Sequence, residues 1–78
     1  MQELRERILQ LLEQTKLSQR EVVAAINAQG LYRIDPAEFC KALKAELTTP
    51  KANRALADAY SILQRERAKQ VRKELAKL

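Results

Sequence analysis

The sequence of 78 residues predicts an all-α fold of four helices, of which the last is extended. Three observations support this fold class. Apolar residues recur at helical spacing and do not alternate as they would in a β-strand. Capping signals at Ser18, Asp35 and Thr49 each precede such a helical run. A single glycine and two prolines leave little material for turns, so the elements are expected to be few and long.

The first two helices are predicted from apolar spacing and from one capping box. Four apolar residues at helical spacing predict an amphipathic helix over about residues 2–14. Ser18 can accept a hydrogen bond from the amide of Glu21, whose side chain can reach back, so a second helix begins at Ser18. It is expected to end near Gly30, because glycine tolerates a positive φ. The apolar residues of the first helix are Leu4, Ile8, Leu11 and Leu12.

The third helix is predicted from a capping residue followed by proline. Asp35 is the cap, Pro36 occupies the first helical position, where no amide is needed, and Glu38 completes a capping box. The helix is expected to run to about Leu47. With Phe39 directed inward, the residues expected on the same side are Leu43 and Glu46.

The fourth helix is predicted to begin at Pro50, capped by the threonine before it, and contains no breaker. Its apolar residues form two stripes on different sides of the helix, because their regular spacing is interrupted between Leu63 and Ala68. We therefore expect the helix to pack against the rest of the chain up to Leu63 and then to project. This divides the chain into a domain at 1–64 and a basic helical extension at 65–78. The residues expected in the core include Phe39, Leu43, Leu56 and Tyr60.

The composition disfavours several classes of protein. At 46% hydrophobic residues the chain is too apolar for intrinsic disorder. No apolar run approaches the roughly 18 residues of a membrane span, and no secretory signal is recognised, so a cytoplasmic protein without a membrane partner is expected. Cys40 is the only cysteine and there is no histidine, which excludes an internal disulfide and a Cys/His zinc site. Without a catalytic constellation, no enzyme activity, cofactor or small-molecule substrate is expected.

The positive charge lies in the C-terminal part of the sequence. Residues 1–49 hold seven basic and seven acidic side chains, whereas residues 50–78 hold eight basic and three acidic ones. The net charge of +5 therefore arises entirely from the second segment. A basic excess favours an anionic partner, although a charged helix is more often simply a solvated face.

Two short capped helices joined by a link, with one helix before and one after them, have the arrangement of a helix-turn-helix DNA-binding domain. The segment LSQREVVAAI at 17–26 resembles the opening of the second helix in the lambda repressor/Cro-like family. There, a Ser/Thr-Gln pair is followed by an apolar pair and then by Leu or Ile. FCKAL at 39–43 and TPKA at 49–52 are similar to the recognition helix and the next helix start of small phage-type members. The resemblance covers roughly residues 4–63.

The sequence departs from the family pattern at three places. Val23 stands where the family usually has alanine, at the closest approach of the two helices. The segment from Asn27 to Asp35 is longer than the usual turn of about three to four residues. Ala45 stands where a glycine often ends the recognition helix. These departures concern how the two helices are joined and ended.

The resemblance implies that the third helix enters the major groove of double-stranded DNA. Its outward stripe is expected to consist of Ala37, Lys41 and Lys44. Lys41 is expected to donate to guanine O6/N7 and Ala37 to contact a thymine methyl. Lys44, further along the helix, suits a phosphate. Ordinary solvent exposure is the alternative for both lysines.

Further contacts are expected from the second helix and from the link. The family uses a glutamine at the second helix to bind a phosphate, which corresponds to Gln19, with Arg20 beside it. The alternative is that Gln19 is an ordinary first-turn residue. Arg33 is expected to reach the DNA backbone or to be a solvated loop residue. Glu38 can accept from cytosine N4, but its capping role uses the same oxygens and is favoured.

The function expected from these features is a sequence-specific DNA-binding transcriptional regulator of phage or mobile-element type. One small domain makes few base contacts, so a homodimer on two half-sites is expected. One alternative is a protein-interaction module, such as an anti-repressor or antitoxin-like adaptor, whose basic fourth helix pairs with an acidic partner or with itself. Another is a sequence-blind nucleic-acid binder. Residues 65–78 are expected to assist self-association or electrostatic attachment.

Overall fold

A computed structural model describes residues 2–78, which form four α-helices and no strand. The all-α prediction is confirmed, and the last helix is the longest. Within the described residues, no helix is both long enough and apolar enough to cross a bilayer. The helices are α1 (Gln2–Thr15), α2 (Gln19–Ala28), α3 (Pro36–Leu43) and α4 (Pro50–Ala76).

The starts of α2 and α4 are fixed by local hydrogen bonds. Ser18 Oγ accepts from the Glu21 amide at 3.1 Å, and Glu21 Oε1 accepts from the Ser18 amide at 3.2 Å. Thr49 Oγ1 accepts from the Ala52 amide at 3.2 Å. Each cap satisfies a backbone N–H that has no partner within the first helical turn. Both predicted starts are confirmed.

α3 is shorter than predicted. It ends at Leu43 and not near Leu47, because Ala45 adopts a left-handed φ of 62°. The Ala45 amide donates to the Ala42 carbonyl at 3.2 Å, and the Glu46 amide donates to the Lys41 carbonyl at 2.9 Å. These two bonds form a Schellman motif. Glu46 therefore lies outside the helix and is exposed, and the prediction that it faces inward is wrong.

The helices enclose one apolar core. Phe39, Leu43 and Leu56 are buried, as predicted, and Tyr60 packs half-buried at the edge. On α4, small alanine side chains on the inward face allow the other helices to approach closely. The residues without exposed surface include Ile8, Val22, Ile26, Ala42, Ala52, Ala55, Ala59 and Leu63.

The packing of α4 against α1 continues beyond Leu63, where the sequence predicts that the helix projects. Gln70 Nε2 donates to the main-chain carbonyl of Thr15 at 2.8 Å, which joins α4 to the end of α1. Arg67 and Gln70 are half-buried. The inward stripe thus continues through the aliphatic parts of polar side chains, which apolar periodicity does not reveal.

Candidate nucleic-acid interface

The N-terminus of α3 is held by a capping box and by an ion pair. Asp35 Oδ1 accepts from the Glu38 amide at 2.8 Å, and Glu38 Oε1 accepts from the Asp35 amide at 3.3 Å. The other carboxylate oxygen of Glu38 lies 2.9 Å from Lys51 Nζ at the start of α4. Both oxygens of Glu38 are thus engaged within the protein. The prediction that Glu38 acts as a cap is confirmed.

The C-terminus of α3 is held by an arginine from α1. Arg5 is only 6% exposed, and its Nε donates to the main-chain carbonyl of Ala42 at 2.7 Å. The last carbonyls of a helix lack partners within the helix and carry partial negative charge. A guanidinium at this position therefore stabilises the end of α3. Both ends of the short helix are fixed by side chains.

α3 has a buried side and an exposed side. Phe39 and Ala42 have no exposed surface, and Leu43 is 7% exposed. On the other side the structure places the three predicted residues on an exposed stripe, with Lys44 as the C-cap and not inside the helix. The residues of this stripe are Ala37, Lys41 and Lys44.

The two predicted residues of α2 lie in its first turn. Gln19 is half-buried and Arg20 is exposed, immediately after the cap Ser18. The side chains of Ser18 and Glu21 bond each other's amides at this helix start. The exposed side chain of Arg20 can meet an anion. These residues belong to a different element from the stripe on α3.

The link between α2 and α3 is anchored to α2 by one asparagine. Asn27 Nδ2 donates to the Ile34 carbonyl at 2.9 Å, and Asn27 Oδ1 accepts from the Ile34 amide at 2.9 Å. The side chain of Ile34 is 1% exposed. One side chain thus satisfies both main-chain groups of a residue in the link.

The link is also anchored to α4 by a tyrosine. The Tyr32 hydroxyl donates to Asp58 Oδ2, and the guanidinium of Arg54 lies 5.2 Å from the centre of the Tyr32 ring. Arg54 Nε is 3.8 Å from the same Asp58 oxygen. Burial raises the pKa of Tyr32 well above its ordinary value, and the hydrogen bond to Asp58 and its negative charge act in the same direction.

Arg33 is presented to solvent between these two anchors. Tyr32 before it is bonded to α4, and Ile34 after it is buried and bonded to α2. Arg33 itself is exposed. Although the link is longer than the usual turn, the main chain on both sides of Arg33 is therefore held in place.

Sequence reasoning missed the residues that position this surface. Arg5 was identifiable, since it lies at helical spacing from Ile8 on the inward stripe of α1. Asn27 bonds the main-chain N–H and C=O of position 34, which every residue type except proline supplies. Tyr32 and Asp58 are far apart in the sequence, and nothing in their local patterns predicts the pairing.

No family model, curated protein or solved structure matches this chain. Membership of the lambda repressor/Cro-like family therefore stays a prediction from the resemblance of sequence segments.

Proposed function

We propose that this protein is a sequence-specific DNA-binding transcriptional regulator of phage or mobile-element type, with α3 as the helix that enters the major groove. The observation that carries the proposal is the stripe of Ala37, Lys41 and Lys44, exposed on a helix whose opposite side is buried. The major groove is about 12 Å wide and admits one α-helix with its side chains. Because both ends of α3 are fixed, its main chain need not be ordered on binding, and only exposed side chains such as Lys41 lose freedom.

Each residue of the surface has a proposed role. Lys41 donates to guanine O6/N7, and Ala37, which is small, contacts a thymine methyl. The other basic or polar residues contact phosphates and set the register of the protein on the duplex. The proposed phosphate contacts are Gln19, Arg20, Arg33 and Lys44.

We propose that the protein acts by binding double-stranded DNA and not by catalysis, and that it binds as a homodimer. α3 has eight residues and presents few side chains to the groove. Contacts to one half-site are too few for high specificity, whereas two half-sites read by two copies double them.

The test is a selection of random DNA duplexes by the purified full chain at two salt concentrations. We expect one enriched sequence with two related half-sites, retained at the higher salt concentration. Lys41→Ala should change the enriched sequence, whereas Lys69→Ala, at an exposed lysine far along α4, should not. Equal affinity for all duplexes, lost uniformly as salt rises, would contradict the proposal and favour a sequence-blind binder.

A further inference from the structure

The C-terminal part of α4 exposes an apolar face. We call residues 65–78 the α4 tail. Val71 is 36% exposed, Leu75 is 62% exposed, and Leu78, beyond the helix end, is fully exposed. With Ala68 these residues follow the alternating spacing of three and four residues that forms the a and d positions of a heptad repeat. We call this set the tail seam.

Basic side chains flank the tail seam on both sides. In the heptad defined by Ala68 at position a, Arg65 and Arg72 occupy e positions. Arg67 and Glu74 occupy g positions. Three of the four flanking residues are therefore arginines. In a coiled coil the e and g residues select the partner by charge.

A second copy of the chain is a poor partner for this face. In a parallel pair, Arg67 of each copy would meet Arg72 of the other. In an antiparallel pair, the e positions, Arg65 and Arg72, would face each other, and only the g positions, Arg67 and Glu74, would pair opposite charges. The tail as a whole carries six basic and two acidic side chains, so two tails repel.

The tail also lies far from the surface proposed to read DNA. The 2.9 Å ion pair between Glu38 and Lys51 fixes the start of α3 beside the start of α4. At about 1.5 Å per residue, Val71 lies roughly 30 Å further along the α4 axis than Lys51. The longest dimension of the molecule is 44 Å. The tail is thus at the opposite end from α3.

We propose that the tail seam binds an amphipathic helix of a partner protein whose apolar residues contact Val71 and Leu75 and whose flanking residues are acidic. Acidic side chains at the partner's e and g positions would pair with the exposed Arg65 and Arg72, and with the part of the half-buried Arg67 that remains exposed. A nucleic acid would use the arginines but gain little from the apolar seam, and a helical partner uses both features. This inference does not depend on the proposed DNA binding.

The test measures binding of the full chain to a synthetic helical peptide by fluorescence anisotropy. The peptide has about three heptads, with leucine at a and d and glutamate at e and g. A second peptide of the same composition has its leucines moved so that no seam forms. We expect the full chain to bind the first peptide and not the second.

Substitutions on the tail should weaken this binding, and matched substitutions elsewhere should not. Leu75→Ser should reduce affinity about tenfold or more, the effect of removing one buried leucine. Leu9→Ser, at a leucine that is 48% exposed on α1, is its control. Arg72→Glu should also weaken binding, and Arg7→Glu changes the net charge equally at an exposed position of α1. Circular dichroism checks that each variant remains helical.

Several outcomes would overturn the inference. One is equal binding of both peptides, or binding unaffected by Leu75→Ser, since either would show charge attraction alone. Another is self-association of the chain that Leu75→Ser abolishes, which would make a second copy the occupant. A loss of duplex DNA affinity on Arg72→Glu as large as that on Lys44→Glu would assign the tail to DNA. Binding to anionic lipid vesicles in preference to the peptide would assign it to a membrane surface.

Discussion

Arg5 in α1 donates a 2.7 Å hydrogen bond to the main-chain carbonyl of Ala42 at the end of α3. The first helix thus contacts the helix proposed to read DNA through a polar bond as well as through the core. The bond is buried and involves a charged donor, so water cannot readily replace it. α1 therefore contributes to the position of Lys41 and Lys44, although neither residue belongs to it.

Replacing Arg5 with methionine should destabilise the protein by about 1–3 kcal/mol, because the Ala42 carbonyl and the end of α3 lose a charged donor. Methionine keeps much of the apolar length of the side chain, which limits the effect of lost packing. The free energy of unfolding in urea measures the change.

Arg7→Met is the control for this prediction. Arg7 is exposed and bonds Gln10 on its own helix at 3.1 Å. Its replacement should change the unfolding free energy by no more than about 0.5 kcal/mol. Similar losses for the two variants would show that the contact between Arg5 and Ala42 has no special importance.

Replacing Ala45 with glycine should stabilise the protein by about 0.5–1 kcal/mol. The left-handed φ of 62° costs an L-residue roughly 1–2 kcal/mol, part of which is offset by the greater chain entropy of glycine in the unfolded state. Ala57→Gly, at an exposed site inside α4, should instead destabilise by about 1 kcal/mol. Thermal melting of both variants tests whether their stabilities change in opposite directions. A loss of stability for Ala45→Gly would mean that the α3 end differs from the Schellman geometry.

The stability of the protein should fall at alkaline pH through Tyr32. Its pKa is raised in the folded state, so the Tyr32 contribution is complete below about pH 10, the unfolded value, and is lost as the pH rises towards the folded value. Between neutral pH and about pH 11, the free energy of unfolding in urea should fall less for Tyr32→Phe than for the wild type. Tyr60→Phe, which leaves Tyr32 bonded to Asp58, is the control and should behave like the wild type. If the free energy of unfolding falls equally for Tyr32→Phe and the wild type at alkaline pH, this prediction is contradicted.

Lys41→Ala should weaken binding to the preferred duplex by about 1–3 kcal/mol and relax selectivity at one base pair. Lys44→Ala should weaken binding to all duplexes about equally, since a phosphate contact carries no sequence information. Anisotropy titrations with the preferred duplex and with a random duplex compare the two losses. If both variants lose the same affinity on both duplexes, Lys41 does not read a base.

The helix starts were predictable because each depends on residues close together in the sequence. Ser18 and Glu21 meet within the first turn of α2, and Thr49 caps α4 in the same local way. The end of α3 was placed too late, because alanine at position 45, where the family pattern often has a helix-ending glycine, itself carries no stop signal. In the structure Ala45 adopts a left-handed conformation, and the carbonyl of Ala42 at the same helix end also accepts a hydrogen bond from Arg5.

The exposed stripe of α3 was predictable, and the contacts that hold it were not. Once Phe39 is placed inward, helical geometry puts Lys41 on the outer side. The bond between Tyr32 and Asp58 joins the link to α4, and the sequence contains no local sign of which residues such a distant pairing selects. The DNA contacts of the exposed stripe on α3 remain predictions.

Asn27 does for Ile34 what a neighbouring β-strand does for a residue of a sheet, since it pairs both the N–H and the C=O of that residue at 2.9 Å. The amide of Ile34 can therefore exchange its hydrogen with solvent only when the bond from α2 opens. We therefore expect the link at Ile34 to open together with its bonds to α2 and not as an unattached surface loop. The exchange rate of the Ile34 amide thus reports how often the segment that carries Arg33 detaches from α2.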